Sequence, residues 1–406
     1  MAQLDIEWPQ IHLIDGVRLG AAEAGIKHKD RADLLLVEID EGSSVSGVFT
    51  RNAFSAAPVI LGREHLARGG VRAFVINSGN ANACTGEQGI RDALHCCLAV
   101  AEALDIDKQQ VIPFSTGVIG EHLPLQKICQ AIPKARDALL EDAWLAGAKA
   151  IMTTDTEPKG ASLQFEHDGE FISVTGIAKG SGMICPNMAT MLAFVATDAV
   201  VSQPVLDNVC KQAADRSFNR ATVDGDTSTN DACMLVATGR AGHAMISQSG
   251  GELYDKLLNA VTEVMQALAV KVIKDGEGAT KFVTVEVKDG GSSDECLQVA
   301  YTIAHSPLVK TALFASDANW GRIVMAIGRS GLHGLDASKV KVWLDDILIV
   351  EDGGRAATYT EEQGAAVVAR SEFRIIVSLG RGHASETIWT SDLSHDYVSI
   401  NADYRS

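Results

Sequence analysis

Strand-like and helical patterns of apolar positions follow one another along most of this chain, without an internal repeat. Apolar runs of strand length alternate with segments whose apolar residues recur at helical spacing. The strand-like segments are 32–40, 45–50, 71–79, 111–114, 191–199, 282–289, 339–350 and 372–380. The helical segments are 86–104, 125–152, 204–218 and 251–274.

Local breakers refine this pattern. Pro133 predicts a break in the helical segment 125–152, because proline lacks the backbone N–H that a helix interior needs. The segment 165–175 predicts a hairpin that turns around Asp168. Gly276 follows the last helical segment at the place where a C-terminal cap is expected.

The alternation predicts a mixed α/β (α+β) fold with many antiparallel neighbours and with helices outside the sheets. No G-x-G-x-x-G follows a strand-like segment, which argues against a Rossmann domain, and the segment 276–281 lacks the spacing of a phosphate-binding loop. We place a domain boundary near Lys281, so that 1–280 form a larger domain and 281–406 a smaller C-terminal α/β domain.

The length of 406 residues exceeds what one hydrophobic core usually supports. Although 46% of the residues are hydrophobic, no run is long enough to predict a membrane span. The first residues lack the basic and apolar regions of a secretion signal. We therefore expect a cytoplasmic protein without a membrane partner.

The net charge and the spacing of the cysteines argue against nucleic-acid partners and against a metal site. The formal net charge of −17 opposes nucleic-acid binding, and an anionic substrate would need a specifically placed cation or backbone N–H groups. The eight cysteines form no C-x-x-C pair, which predicts reduced thiols and no metal site. Cys96 and Cys97 lie in a helical segment, where cysteine behaves as a small buried hydrophobe.

Thr190 stands where a glycine-rich and proline-containing segment meets an apolar run. One interpretation is an ordinary β-forming residue at the start of a strand. The other is a nucleophile whose hydroxyl attacks the carbonyl of Ala189, so that the chain is cut and the new α-amine of Thr190 becomes the base. Gly180, Gly182 and the small Ala189 suit the second interpretation.

A nucleophile of this kind needs donors for the oxyanion that forms when a carbonyl is attacked. Ser115, Thr116 and Gly117 follow the strand-like run 111–114 and predict a corner at which a hydroxyl and a backbone N–H point outward together. An ordinary turn is the alternative.

The acidic run 224–231 has some of the spacing of a calcium-binding loop. Thr229 stands where that loop needs glycine, and Leu235 where it needs a bidentate glutamate. We assign no metal to it and expect its side chains to support the nucleophile.

Several motifs together resemble one family. It is ornithine acetyltransferase, the glutamate N-acetyltransferase of arginine biosynthesis, and the resemblance covers essentially the whole chain. The motifs that carry it are 77–82, 115–117, 179–190, 224–231 and 316–322.

The resemblance implies cleavage between Ala189 and Thr190 and then a ping-pong transfer of acetyl from N-acetylornithine to glutamate through acetyl-Thr190, with no cofactor. Thr116 and Gly117 would stabilise the oxyanion. It also implies a layered αββα sandwich related to self-processing N-terminal-nucleophile enzymes, and a heterotetramer of two α and two β chains. The residues that it implies for substrate binding are Thr153, Lys179, Thr190, Glu277, Asn401 and Ser406.

Some alternatives stay open at this point. Thr154 is as good a match as Thr153, and no motif decides whether acetyl-CoA is a second acetyl donor. An N-terminal-nucleophile aminopeptidase or amidase would use water as the acceptor. An unprocessed amino-acid-binding protein would keep residues 189 and 190 joined.

Overall fold

A computed structural model describes residues 4–27, 29–185 and 191–403. The described residues form a mixed α/β fold with three mixed sheets, which confirms the predicted fold class. They divide into two compact units. The larger unit comprises the described residues of 7–219 and 226–272, and the smaller unit comprises 4–6, 220–225 and 273–403. The domain boundary near Lys281 stays a prediction.

The strands are β1 Val17–Ala22, β2 Leu34–Ile39, β3 Ser44–Phe49, β4 Ala73–Asn80, β5 Val111–Val118, β6 Lys159–His167, β7 Glu170–Lys179, β8 Leu192–Thr197, β9 Ala221–Thr222, β10 Ala232–Ala237, β11 Phe282–Gly290, β12 Lys341–Leu344, β13 Ile347–Glu351, β14 Gly354–Arg355, β15 Glu372–Ser378 and β16 Ala384–Ser391. The helices are α1 Ala57–Arg68, α2 Gly86–Leu104, α3 Leu125–Asp137, α4 Trp144–Ala150, α5 Gln203–Asp215, α6 Glu252–Lys274, α7 Ser293–Ala304, α8 Pro307–Phe314, α9 Trp320–Gly328, α10 Glu361–Val368 and α11 His395–Ala402.

The larger unit contains two sheets that share one core. Their strand orders are β1-β2-β4-β5 and β3-β10-β8-β7-β6, with β4 parallel to β5 and β8 parallel to β10. Phe74 and Phe114 from the first sheet meet Phe194 from the second, and the ring centroids lie 5.0–5.8 Å apart. This spacing is typical of packed aromatic rings, so the inner faces of the two sheets hold each other in place.

Helices pack against the outer faces of these two sheets. Buried residues of α2 and α3 join those of β2, β4 and β5 in one cluster. On the other sheet, α5 packs against β3, and Leu268 of α6 lies over Gly176 of β7. Cys96 and Cys97 are buried in α2, as predicted, and burial raises the pKa of the Cys97 thiol to about 12. Both cysteines therefore act as apolar packing groups.

The smaller unit has its own core around a seven-stranded sheet of order β14-β13-β12-β15-β11-β16-β9. The core residues come from strands of this sheet and from helices that include α7 and α9. Across the described parts of both units, no helix combines the length and hydropathy that crossing a membrane requires.

Local sequence predictions had mixed outcomes. The segment 86–104 coincides with α2, and the hairpin of β6 and β7 turns at Asp168 and Gly169, which both have positive φ. Pro133 does not break its helix, so that prediction is wrong: α3 continues to Asp137, and buried neighbours such as Ile132 compensate for one lost backbone hydrogen bond.

The predicted cap after α6 is also wrong in detail. The helix ends at Lys274, but Gly276 is not among the residues with positive φ, whereas Gly278 has a φ of 67°. A side chain at Gly278 would place its Cβ 2.5 Å from the backbone nitrogen of Tyr397. This turn therefore requires glycine at position 278, because of its packing against α11 and not because it caps the helix.

Candidate active site

The ends of β4 and β5 approach each other so closely that only glycine fits between them. Gly117 has a φ of 135° and lies beside Gly79, whose φ is 100°. A Cβ added to Gly117 would lie 2.3 Å from the carbonyl carbon of Gly79. The predicted corner after 111–114 is wrong, because β5 continues through Val118. The unusual backbone is instead an irregularity in the pairing of the two strands.

Thr116, immediately before Gly117, carries the hydroxyl that could stabilise an oxyanion. Only 8% of the residue is exposed, and within the described ranges its hydroxyl has no hydrogen-bond partner. Its oxygen is not one of the fully buried side-chain atoms that lack a partner in the described residues, so the hydroxyl itself keeps access to the surface. The side chain is therefore available to a ligand.

Asparagine side chains hold this strand end in place. Ser115 Oγ donates to Asn77 Oδ1 over 2.6 Å, and Asn77 Nδ2 donates to the carbonyl oxygen of Asn80 over 2.8 Å. Asn230, just before β10, donates from Nδ2 to the carbonyl oxygens of Ser115 at 2.8 Å and Ala81 at 2.6 Å. Asn230 thereby links the two sheets of the larger unit at the position of Thr116.

The start of β8 lies between β7 and β10. Leu192 pairs with Lys179 on one side and with Ala232 on the other, and the Ala232 N–H donates to the carbonyl oxygen of Met191 over 2.9 Å. Met191 directly follows Thr190 in the sequence. Ala189 and Thr190 themselves lie outside the described residues.

Asp155 is a completely buried carboxylate that contacts several parts of this region. It accepts hydrogen bonds from the N–H groups of Thr153 and Gly180 and from Lys159 Nζ. Burial by itself would raise the pKa of Asp155, but the charges of Lys159 and Lys179 and these hydrogen bonds outweigh it and hold the pKa well below its usual range. Asp155 is therefore ionised.

Asp231 is an equally buried carboxyl with the opposite shift. Burial raises its pKa well above the usual range, although Ser228 hydrogen bonds and the charge of Lys179 act in the other direction. Its Oδ2 atom has no hydrogen-bond partner within the described part of the chain. Lys179 thus interacts electrostatically with two buried aspartates whose pKa values are shifted in opposite directions.

The two threonines that the motif left open differ in their contacts. Thr154 Oγ1 lies 2.7 Å from Ser181 Oγ and is engaged in a hydrogen bond. Thr153 uses its backbone N–H toward Asp155, and its hydroxyl has no partner among the residues described. The geometry therefore favours Thr153 as the residue available to a ligand.

The smaller unit brings together two other residues from the motif comparison. Asn401 of α11 donates from Nδ2 to Glu277 Oε2 over 2.8 Å. Glu277 is only 8% exposed, unlike the surface glutamate that its place after a helix would suggest. Ser406 lies outside the described residues.

The acidic run 224–231 is divided between the two units. Asp224 belongs to the smaller unit and accepts a hydrogen bond from the Tyr397 hydroxyl at 3.2 Å. In the larger unit, Thr227 Oγ1 donates to the carbonyl oxygen of Cys185 at 2.9 Å. The described residues contain no group of His, Cys, Asp or Glu side chains arranged to hold a metal ion.

Sequence reasoning did not assign a role to several residues of this site. They are buried polar or charged side chains in or near β4 and β6: Asn77, Asp155 and Lys159. Asn230 and Asp231 belong to the run 224–231, whose side chains were expected to support the nucleophile. A buried polar residue next to an apolar strand can indicate a functional site, but the contacts of Asn230 with Ser115 and of Asp155 with Gly180 join segments that are distant in sequence.

Comparisons with known proteins assign the chain to a family. The sequence profile of the ArgJ family matches residues 18–406. An arginine biosynthesis bifunctional protein ArgJ from Pseudomonas fluorescens is 56% identical over 98% of this chain and 98% of its own length. A crystal structure of ArgJ from Bacillus halodurans is 34% identical and covers 50% of this chain and 95% of that one, with a TM-score of 0.48. The ornithine complex of ornithine acetyltransferase from Mycobacterium tuberculosis is 35% identical and covers 43% and 94%, with a TM-score of 0.39.

We expect Gly117→Ala to be much more destabilising than Gly120→Ala. Both glycines have positive φ, so each alanine costs about 1–3 kcal/mol of backbone strain. A Cβ at Gly120 meets nothing within 4 Å, whereas at Gly117 it overlaps the backbone of Gly79. Thermal unfolding of both variants checks this, and equal losses would show that the close approach is wrong.

The buried carboxyl of Asp231 predicts a pH-dependent effect of Asp231→Asn. A carboxyl with a raised pKa in the folded state favours folding below its unfolded pKa and loses that contribution as pH rises through the folded pKa. The neutral asparagine does not suffer this loss. We expect the melting temperature of the variant, relative to the wild type, to increase between pH 4 and pH 7. A constant difference across this range would contradict the prediction.

Proposed function

Since the chain belongs to the ArgJ family, we propose that it transfers the acetyl group of N2-acetyl-L-ornithine to L-glutamate and also forms N-acetylglutamate from acetyl-CoA. A relative with 56% identity is named a bifunctional protein of arginine biosynthesis. A second relative, ornithine acetyltransferase, was crystallised with ornithine. The observation that carries the proposal is the Thr116 hydroxyl, which has no hydrogen-bond partner within the described ranges, beside the sterically required Gly117.

The proposed enzyme first cuts its own chain between Ala189 and Thr190. The Thr190 hydroxyl attacks the Ala189 carbonyl, the amide becomes an ester, and water hydrolyses that ester. The products are the fragments 1–189 and 190–406. This step creates a free α-amine on Thr190, whose pKa of about 7.7–8.0 lets it act as a base near neutral pH.

Acetyl transfer then proceeds in two half-reactions. Thr190 Oγ attacks the acetyl carbonyl of N-acetylornithine while the α-amine takes the hydroxyl proton, and this proton passes to the departing amine of ornithine. The acetyl group remains as an ester on Thr190. The amine of glutamate attacks the ester, N-acetylglutamate leaves, and the hydroxyl regains its proton. The transfer needs no nucleotide hydrolysis, because the amide of N-acetylornithine is replaced by the equivalent amide of N-acetylglutamate.

Both tetrahedral intermediates carry a negative oxygen. In our proposal the Thr116 hydroxyl and the Gly117 N–H donate to it, which is the arrangement that lowers barriers in acyl transfer. Support comes from the pairing of Ser115 with Asn77 and Asn230, since these hydrogen bonds fix the strand end before substrate arrives.

Substrate binding by Thr153, Lys179, Glu277, Asn401 and Ser406 stays a prediction from the family resemblance. Lys179 is the natural partner for a substrate carboxylate in a protein of net charge −17. The Thr154 hydroxyl is already engaged in a hydrogen bond with Ser181, which supports Thr153 as the threonine that binds substrate. The carboxylate of Glu277 could hold a substrate ammonium group.

We further propose that the larger unit is the αββα sandwich of self-processing N-terminal-nucleophile enzymes. The shared core of its two sheets and the helices on their outer faces support this layer order. An assembly of two α and two β chains, and a cytoplasmic location, remain predictions that follow from the family.

Thr190→Ala should abolish both self-cleavage and transfer, because no hydroxyl remains to attack either carbonyl. A denaturing gel should show one full-length chain, and labelled acetyl should not move from N-acetylornithine to glutamate. Thr190→Ser is the matched control and should give two fragments. Two fragments in the alanine variant would refute the mechanism, and ornithine release that ignores glutamate in the wild type would indicate a hydrolase.

Acetyl-CoA should acetylate the same threonine. We expect thiol release from acetyl-CoA in the presence of glutamate by the wild type and none by Thr190→Ala. Competition by N-acetylornithine should slow the release, because both donors would form the same acetyl ester. Absence of thiol release alongside normal transfer from N-acetylornithine would limit the protein to one activity.

A further inference from the structure

A fully buried ion pair lies beside the candidate site of the larger unit. Lys159 Nζ and Asp155 Oδ1 are 2.6 Å apart, and both side chains are 0% exposed. Such pairs often add little to stability, because removing two charges from water costs about as much as their attraction returns. Stability alone is therefore a weak explanation for this pair.

The carboxylate of Asp155 also joins two backbone segments. The Thr153 N–H donates to Oδ2 over 2.9 Å, and the Gly180 N–H donates to Oδ1 over 2.6 Å. Gly180 directly follows Lys179 at the end of β7. Asp155 thus fixes the backbone at Thr153 and next to Lys179. Besides Thr190, these are the two residues of the larger unit to which the family resemblance assigns substrate binding.

The Gly180 contact extends toward the nucleophile. With a φ of 151°, Gly180 lies so close to Met191 that an added Cβ would be 3.1 Å from the Met191 Cβ. Met191 is the residue that follows Thr190. A shift of Gly180 would therefore disturb the start of β8 as well as the end of β7.

We propose that Asp155 is a positioning residue, which holds Thr153 and Lys179 in register for substrate and does not itself contact substrate. Lys159 compensates the buried negative charge. The inference rests on the proposed function, in which Thr153 and Lys179 bind substrate. A carboxylate is required because its two oxygens accept all three hydrogen bonds, whereas an asparagine side chain offers one acceptor oxygen.

Two variants separate the ion pair from the backbone contacts. Asp155→Asn with Lys159→Met removes both charges of the ion pair, and at least one of the two N–H groups loses its acceptor. Lys159→Met alone keeps the carboxylate and both N–H contacts. Arg220→Met with Glu386→Gln removes a mostly buried pair of the smaller unit and serves as the control.

We expect the double variant at 155 and 159 to raise KM for N-acetylornithine and for glutamate by about tenfold or more, with a smaller change in kcat. Lys159→Met should be less stable but should keep KM within about twofold of the wild type. The control pair should leave both KM values unchanged. Equal KM values in the double variant and the wild type, or an equal increase in Lys159→Met, would overturn the proposal.

Hydrogen–deuterium exchange tests the positioning without reference to activity. Peptides that contain Thr153 and Gly180 should exchange faster in the double variant and near the wild-type rate in Lys159→Met. Unchanged exchange in the double variant overturns the inference. Inactivity of the wild type with N-acetylornithine and glutamate would instead refute the proposed function, and the exchange result would stand separately.

Discussion

The close approach of Gly79 and Gly117 is the constraint on which the candidate site depends. Two parallel strands come so near each other that a single Cβ would overlap the facing backbone. The approach places Thr116 at the irregular end of β5, where its hydroxyl has no hydrogen-bond partner among the described residues. Asn230 then ties this strand end to the other sheet. Donors fixed in this way need no reorganisation when an oxyanion forms.

Two buried aspartates with opposite pKa shifts interact electrostatically with Lys179. A protein of net charge −17 repels anionic substrates on average, so a local cation has to overcome that field. Lys159, Lys179 and backbone N–H groups hold the pKa of Asp155 well below its usual range, whereas burial raises the pKa of Asp231 well above its usual range. The two carboxyls that interact with Lys179 therefore differ in how readily each loses its proton.

Local patterns predicted what depends on local interactions. The helix 86–104 and the hairpin at Asp168 follow from apolar spacing and turn residues, and both are present. Pro133 was misjudged because tertiary packing outweighs one missing hydrogen bond. The partners of Gly117 and Ser115 lie far away in sequence, so no local pattern identifies them. The smaller unit also takes 220–225 from within the larger one, and no local pattern in the sequence marks this exchange.

The proposed chemistry uses the same donors twice. In self-cleavage the attacked carbonyl belongs to Ala189, and in transfer it belongs to the substrate, but each attack by Thr190 produces an oxyanion that Thr116 and Gly117 can stabilise. The base cannot be the same in both, because the α-amine of Thr190 is part of a peptide bond until the first reaction is complete. In the proposed chemistry, a rigid oxyanion site that is present before cleavage is therefore the element common to both reactions, and the hydrogen bonds among Ser115, Asn77, Asn80 and Asn230 support that rigidity.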